Sequence, residues 1–175
     1  MLFVFVEGPD DELYFTKVFA QYWGSYKIIK YAGMKNDKIN SFIKSIDCIP
    51  DSDYIFFGDS DGVEIGQKRQ SLLSKFSNLS PDKVYIVQLE VESWYYAGAT
   101  EAICRKLKMK HFIFRTDNLT KEQFYSKLAH SSDRKYVMCS ILEQYILKLA
   151  ITRNHSLNLF VDSLKKKEPA LLFVE

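Results

Sequence analysis

Four short apolar runs, each separated from the next by residues at helical spacing, set the tightest limit on what this chain can fold into. The runs are Leu2 to Val6 (LFVFV), Tyr26 to Tyr31 (YKIIKY), Tyr54 to Phe57 (YIFF) and Val84 to Leu89 (VYIVQL). Runs of this length, bounded by glycine, proline or acidic residues, read as strands of a sheet covered on both faces. Glu7-Gly8-Pro9 closes the first run, and Asp10 is placed to cap a helix with Leu13, Val18 and Phe19 on one face and Phe15 and Tyr22 widening it. Residues 35–46 set Ile39, Phe42, Ile43 and Ile46 at helical spacing, and a helix from about Glu64 to Phe76 carries Leu72, Leu73 and Phe76. Ser80-Pro81-Asp82 is the turn that opens the fourth strand. Strand–helix alternation with right-handed crossovers predicts an α/β fold: a doubly wound, mostly parallel, Rossmann-like four-stranded sheet.

After about residue 99 the strand signals fade. Residues 100–108, 120–130, 135–150 and 156–167 read as helices, and His111 to Phe114 (HFIF) as a short strand. The expected organisation is an α/β core over residues 1–99 and a C-terminal helical extension over 100–175 packed on it as one unit. Of the 175 residues, 47% are hydrophobic and 15% aromatic, which suffices for a packed core and argues against disorder. Gly (7) and Pro (4) are scarce, so long elements and short loops are expected.

Cys48, Cys104 and Cys139 are odd in number, widely spaced and form no CxxC pair, so neither a disulfide framework nor a zinc ribbon is implied. Free thiols fit a reducing, cytoplasmic compartment. No apolar run approaches the roughly 20 residues of a membrane span, so no membrane partner is expected. The first residues lack a basic stretch and read as a strand rather than a signal peptide. Charge is unevenly placed: residues 1–99 sum to −4 and residues 100–175 to +6. An acidic first part beside a basic second part fits a metal site next to a phosphate-binding surface, and it equally fits ordinary solvated helices.

The positions of the carboxylates carry more information than their number. Glu7 ends the first strand, Asp59 and Asp61 end the third, and Glu90 and Glu92 end the fourth. In an open parallel sheet these ends share one edge, where ligands bind. Carboxylates converging there repel one another unless a cation sits among them, and hard oxygen ligands select Mg²⁺ or Mn²⁺. Mg²⁺ keeps several waters and is completed by substrate phosphates, so phosphoryl chemistry is its natural use.

With those residues stated, the chain resembles the TOPRIM superfamily. V-E-G-P-D-D-E-L-Y-F at 6–15 is similar to the TOPRIM signature of a strand-terminal Glu followed by Gly, an acidic residue and a helix. I-F-F-G-D-S-D-G at 55–62 is similar to its D-x-D motif. The spacing of Glu7 and Asp11 and the segment L-E-V-E-S-W-Y-Y-A-G at 89–98 resemble the OLD (overcoming lysogenization defect) type and related stand-alone members. The resemblance implies a Mg²⁺- or Mn²⁺-dependent nuclease. Glu7 would be a metal ligand or general acid/base, Asp59 and Asp61 metal ligands, and Asp11 and Glu92 helpers to a second metal, with Glu90 as the alternate for Glu92. It also implies a nucleic-acid substrate, DNA or RNA, and a setting in phage or mobile-element defence. No G-x-x-x-x-G-K-[ST] motif occurs, so the ATPase of OLD proteins does not lie in this chain. The alternative reading is a non-catalytic module that binds nucleic acid or a partner and works with a separate ATPase subunit.

Arg105, Lys106, Lys108 and Lys110 form a basic cluster that could contact phosphates or simply be a solvated helix end. Lys165, Lys166 and Lys167 suit a helix C-terminus, where cations favour the dipole. His111, His130 and His155 have no ligand spacing, and Trp23 and Trp94 read as packing residues rather than base-stacking platforms. A receiver-type phospho-signalling domain would need Ser or Thr at the end of the fourth strand, where this chain has Gln88, Leu89 and Glu90.

Overall fold

The computed structural model describes residues 1–110, 114–128 and 133–167. The chain divides into two compact units, Met1–Val87 and Gln88–Glu175, a boundary earlier than the one read from the fading strand signals.

The first unit holds the sheet: β1 (Leu2–Val6), β2 (Tyr26–Lys30), β3 (Asp53–Asp59) and β4 (Val84–Val87). All neighbouring strands run parallel in the order β2-β1-β3-β4, so the fold is α/β with an all-parallel four-stranded sheet. The register sets Leu2 against both Tyr26 and Asp53, and Asp59 against Val87. Helices α1 (Pro9–Val18), α2 (Asn36–Ile46) and α3 (Ile65–Lys75) make the three crossovers.

Period-two side-chain direction sorts the core between the faces. Phe3, Phe5, Tyr54 and Phe56 share one cluster with Ile39, Ile43 and Ile46 of α2 and with Leu72 of α3. Phe56 is fully buried there, with ring centroids 4.4 Å from Tyr31, 5.3 Å from Phe76 and 5.5 Å from Phe5. Phe57, the next residue, meets Phe15 of α1 at 4.2 Å, and Phe15 packs on Trp23 at 6.1 Å. Winding therefore reverses between β1, whose crossover α1 lies on one side, and β3, whose flanking helices lie on the other. That is the switch point at which ligands bind in open parallel sheets.

The first helix begins two residues earlier than the Asp10 cap implies. Gly8 occupies the N-cap and Pro9 the first helical position, where its missing N–H costs nothing. The Gly8 N–H donates to Asp11 Oδ2 at 3.0 Å, so the capping carboxylate is that of Asp11.

Among the described residues the second unit is helical: α4 (Glu92–Ala97), α5 (Glu101–Lys106), α6 (Lys121–Ser126), α7 (Arg134–Glu143), α8 (Leu147–Arg153) and α9 (His155–Lys167). Its core stacks Trp94 on Phe160 at 5.8 Å and sets Tyr96 edge-on to Phe124 at 6.2 Å. Buried Asn154 is a polar node: its Nδ2 donates to Thr116 Oγ1 (3.0 Å) and Ser93 Oγ (3.3 Å), while its Oδ1 accepts from Ser156 Oγ (2.9 Å) and Leu157 N (3.0 Å). The single helix expected over 135–150 is two helices, interrupted at Gln144–Ile146. Tyr145 in that break donates its hydroxyl to Trp94 O at 2.9 Å, and its ring lies so close to Gly98 that a Cβ there would stand 2.2 Å from it. Of the strand expected over 111–114, residues 111–113 lie outside the described residues, as does His130. No described helix is long and apolar enough to cross a membrane.

A candidate carboxylate site at the switch point

Glu7 follows β1 directly and Asp59 is the last residue of β3, the neighbouring strand, so parallel pairing alone brings them to one edge. Glu7 Oε1 accepts from the Asp59 N–H at 3.2 Å and from the Tyr31 hydroxyl at 3.1 Å. The Tyr31 hydroxyl also lies 2.8 Å from the buried Phe57 carbonyl oxygen. Tyr31 follows β2, so three strand ends meet in this one network. Burial pushes the Tyr31 hydroxyl far above the usual tyrosine range, and the charge and hydrogen bond of Glu7, then the charges of Asp59 and Asp11, push it further. Three of the expected carboxylates, Glu7, Asp11 and Asp59, thus act on one buried phenol.

Gly58 leaves room beside this network, and a side chain there would first press on Leu72. A Cβ there would stand 2.7 Å from Leu72 Cδ1, 3.5 Å from the Tyr31 hydroxyl and 3.8 Å from Glu7 Oε1. Ser60, next after Asp59, is buried and donates its N–H to Val87 O at 2.9 Å, tying the end of β3 to β4. Asp61 then takes φ of 51° and Gly62 φ of 79°. Aspartate tolerates the left-handed region better than most side chains, and such conformations concentrate at functional loops. Asp61 is half exposed, and its Oδ2 is paired with Lys68 Nζ of α3 at 2.6 Å. Among the described residues, no group of three or more His, Cys, Asp or Glu stands in metal-holding geometry.

Glu90 and Glu92 belong to the second unit, where they build a different environment. Leu89 before them takes φ of 61°, and Glu92 opens α4. Glu92 is 1% exposed, a costly place for a carboxylate without donors and counter-charges. Its Oε1 gathers the Tyr125 hydroxyl at 2.6 Å, Lys121 Nζ at 3.3 Å and Arg134 Nη2 at 3.4 Å. Glu90 Oε2 accepts from the Lys121 N–H at 2.9 Å, and Lys121 Nζ lies 3.8 Å from Glu90 Oε1. Burial raises the Glu90 carboxyl above its usual range, and neighbouring Glu92 adds to this against the Lys121 hydrogen bond. Burial alone would lower Lys121, but the charge and hydrogen bond of Glu92 together with the charge of Glu90 hold the ammonium above its usual range.

Arg105 is exposed and paired with Glu101 one turn back on α5, and Lys110 gives its backbone N–H to Lys127 O at 2.9 Å. Tyr31, Lys68, Lys121, Tyr125 and Arg134 are the polar partners that strand-end reasoning did not reach. Each meets its carboxylate across a long stretch of chain, except Lys68, and no local motif marks them.

Fold and site together define an α/β protein with carboxylates gathered at the switch point of an all-parallel sheet. Comparison with protein-family models, with curated proteins and with solved structures finds no match for this chain.

Proposed function

We propose that the chain carries out Mg²⁺- or Mn²⁺-dependent phosphodiester chemistry on nucleic acid, as a TOPRIM-type nuclease. The observation that supports this most is the pairing of Glu7 Oε1 with the Asp59 N–H at 3.2 Å, at the switch point of a parallel sheet. Carboxylates such as those of Glu7, Asp11, Asp59 and Asp61 are the donor type that a hard dication selects, and as they stand no three of them, among the described residues, are in metal-holding geometry. When bound, such an ion supplies charge stabilisation at the attacking and leaving oxygens of a phosphodiester. Glu7 Oε1 is held by two donors, which leaves Oε2 to face a ligand or accept a proton from water. Tyr31 fixes the orientation of that carboxylate. To join Asp59, Asp61 would leave Lys68; its own side chain is 53% exposed and that of Lys68 19%.

The test is cleavage of single- and double-stranded DNA and of RNA with Mg²⁺ or Mn²⁺ against EDTA, comparing the native chain with Asp59→Asn and Glu7→Gln. Metal-dependent cleavage that falls by about a hundredfold or more in both variants is expected. A folded native chain that binds Mn²⁺ without cleaving would favour the module that depends on a separate ATPase partner. One that does neither would end the metal-site reading.

A further inference from the structure

The basic side chains best arranged to hold an anion lie outside the cluster at 105–110. Lys121 and Arg134 meet at Glu92 from different helices: Lys121 opens α6 and Arg134 opens α7. The carboxylate between them is buried at 1% exposure, whereas the side chains of Lys121 and Arg134 are 38% and 46% exposed. Negative charge is therefore on the inside and positive charge at the surface. Arg134 is also fixed in plane, its guanidinium 3.9 Å above the ring of Tyr125, whose hydroxyl is itself bound to Glu92. Among the described residues, all three donors converge on Oε1, while buried Glu92 Oε2 receives no hydrogen bond. Here one buried oxygen organises two cations that both reach solvent.

We propose that Lys121 and Arg134 form a phosphate-binding pair in the second unit, positioned by buried Glu92, that grips the backbone of the nucleic acid acted on by the chain. This rests on the functional reading above. The pair differs from Arg105, Lys106, Lys108 and Lys110, for which no buried carboxylate partner is seen among the described residues. A guanidinium and an ammonium on one anchor suit a phosphodiester oxygen pair, and their positioning reduces the entropy lost on binding.

The experiment uses the full chain and fluorescent single- and double-stranded DNA of mixed sequence, in EDTA, with affinity followed across a salt series. Lys121→Gln and Arg134→Gln should each weaken binding about tenfold whatever the sequence, and lower the slope of log affinity against log salt by about one. Lys121→Arg should recover most of the affinity. Combining Lys106→Gln, Lys108→Gln and Lys110→Gln should change affinity less than either single substitution. Lys121→Gln with Glu92→Gln keeps the charge balanced, so a variant unfolded by a bare buried carboxylate is replaced by one that folds. A folded Lys121→Gln and Arg134→Gln pair with unchanged slopes would overturn the inference while metal-dependent cleavage by the native chain still stood. Loss of cleavage in Glu7→Gln with salt-sensitive binding intact would keep the two apart from the other side.

Discussion

Tyr31 has one hydroxyl proton and two acceptors, Phe57 O at 2.8 Å and Glu7 Oε1 at 3.1 Å. The shorter contact is to a buried backbone carbonyl, which would otherwise lack this donor at the end of β3. Tyr31→Phe keeps the ring on Phe56 and removes only the oxygen, so we expect a loss of about 1–2 kcal/mol in urea unfolding. A variant as stable as the native chain would mean that water replaces the hydroxyl without cost. The same group has a pH signature. Its folded pKa is raised above the unfolded value of 10.0, so its stabilisation is fully present below that pH. Above it the unfolded phenol releases its proton and the folded one retains it, so the unfolded state binds fewer protons and stability falls. The difference between native and Tyr31→Phe stabilities should be flat to about pH 9 and then shrink by up to about 1.4 kcal/mol per pH unit. A difference that stays constant to pH 11 would show that the phenol is not held protonated by Glu7 and its neighbours.

At the scale of elements, the legible parts are those whose pattern is local. The strands were visible because an apolar run four to seven residues long has few other uses in a chain with helices between the runs. Glu7 and Asp59 were visible as a pair because parallel pairing of neighbouring strands aligns their ends. Helix α4 was not visible: Glu92 through Ala97 are all buried, so no polar face marks a helical period. The break between α7 and α8 has neither glycine nor proline, and Tyr145 makes it through contacts with Trp94 and Gly98 that are distant in sequence. Glu92 was legible as an acidic residue near a strand end, but its partners Lys121, Tyr125 and Arg134 were not, since no spacing rule links helices so far apart. Asp11 shows how one residue serves two levels. Its carboxylate caps α1 through the Gly8 N–H, and its charge acts on Tyr31. Asp11→Ala should cost about 1 kcal/mol by loss of the cap, and Asp11→Asn clearly less, because an amide oxygen still accepts from Gly8. If a divalent ion uses this carboxylate, both variants weaken Mn²⁺ binding alike. Titration calorimetry beside urea unfolding separates the two roles, and equal stability losses for Ala and Asn would remove the cap from the account.

Over the whole molecule, the contrast in charge between the first and second parts is real but smaller than a boundary at residue 99 implies. With the division after Val87 the first unit sums to −2 and the second to +4, because Glu90 and Glu92 lie on the basic side. Their negative charge is opposed there by Lys121 and Arg134, whereas the acidic surplus of the first unit includes Glu7, Asp11 and Asp59 around one phenol. If a dication binds that group as proposed, it binds the folded chain, which brings those carboxylates together, in preference to the unfolded one. Mass action then ties metal binding to global stability. Mn²⁺ at a hundredfold excess over its dissociation constant should add about 2.7 kcal/mol to unfolding, at constant ionic strength. Asp59→Asn should gain far less from the metal, yet be as stable as the native chain or more so in EDTA, since it removes one of the repelling charges. Thermal unfolding of both proteins with Mn²⁺, with EDTA and with matched NaCl measures each of these shifts. An equal gain from Mn²⁺ in both would place the ion elsewhere on the chain, and an Asp59→Asn protein less stable than the native chain in EDTA would show that the carboxylate is retained for its hydrogen bonds and not for a cation.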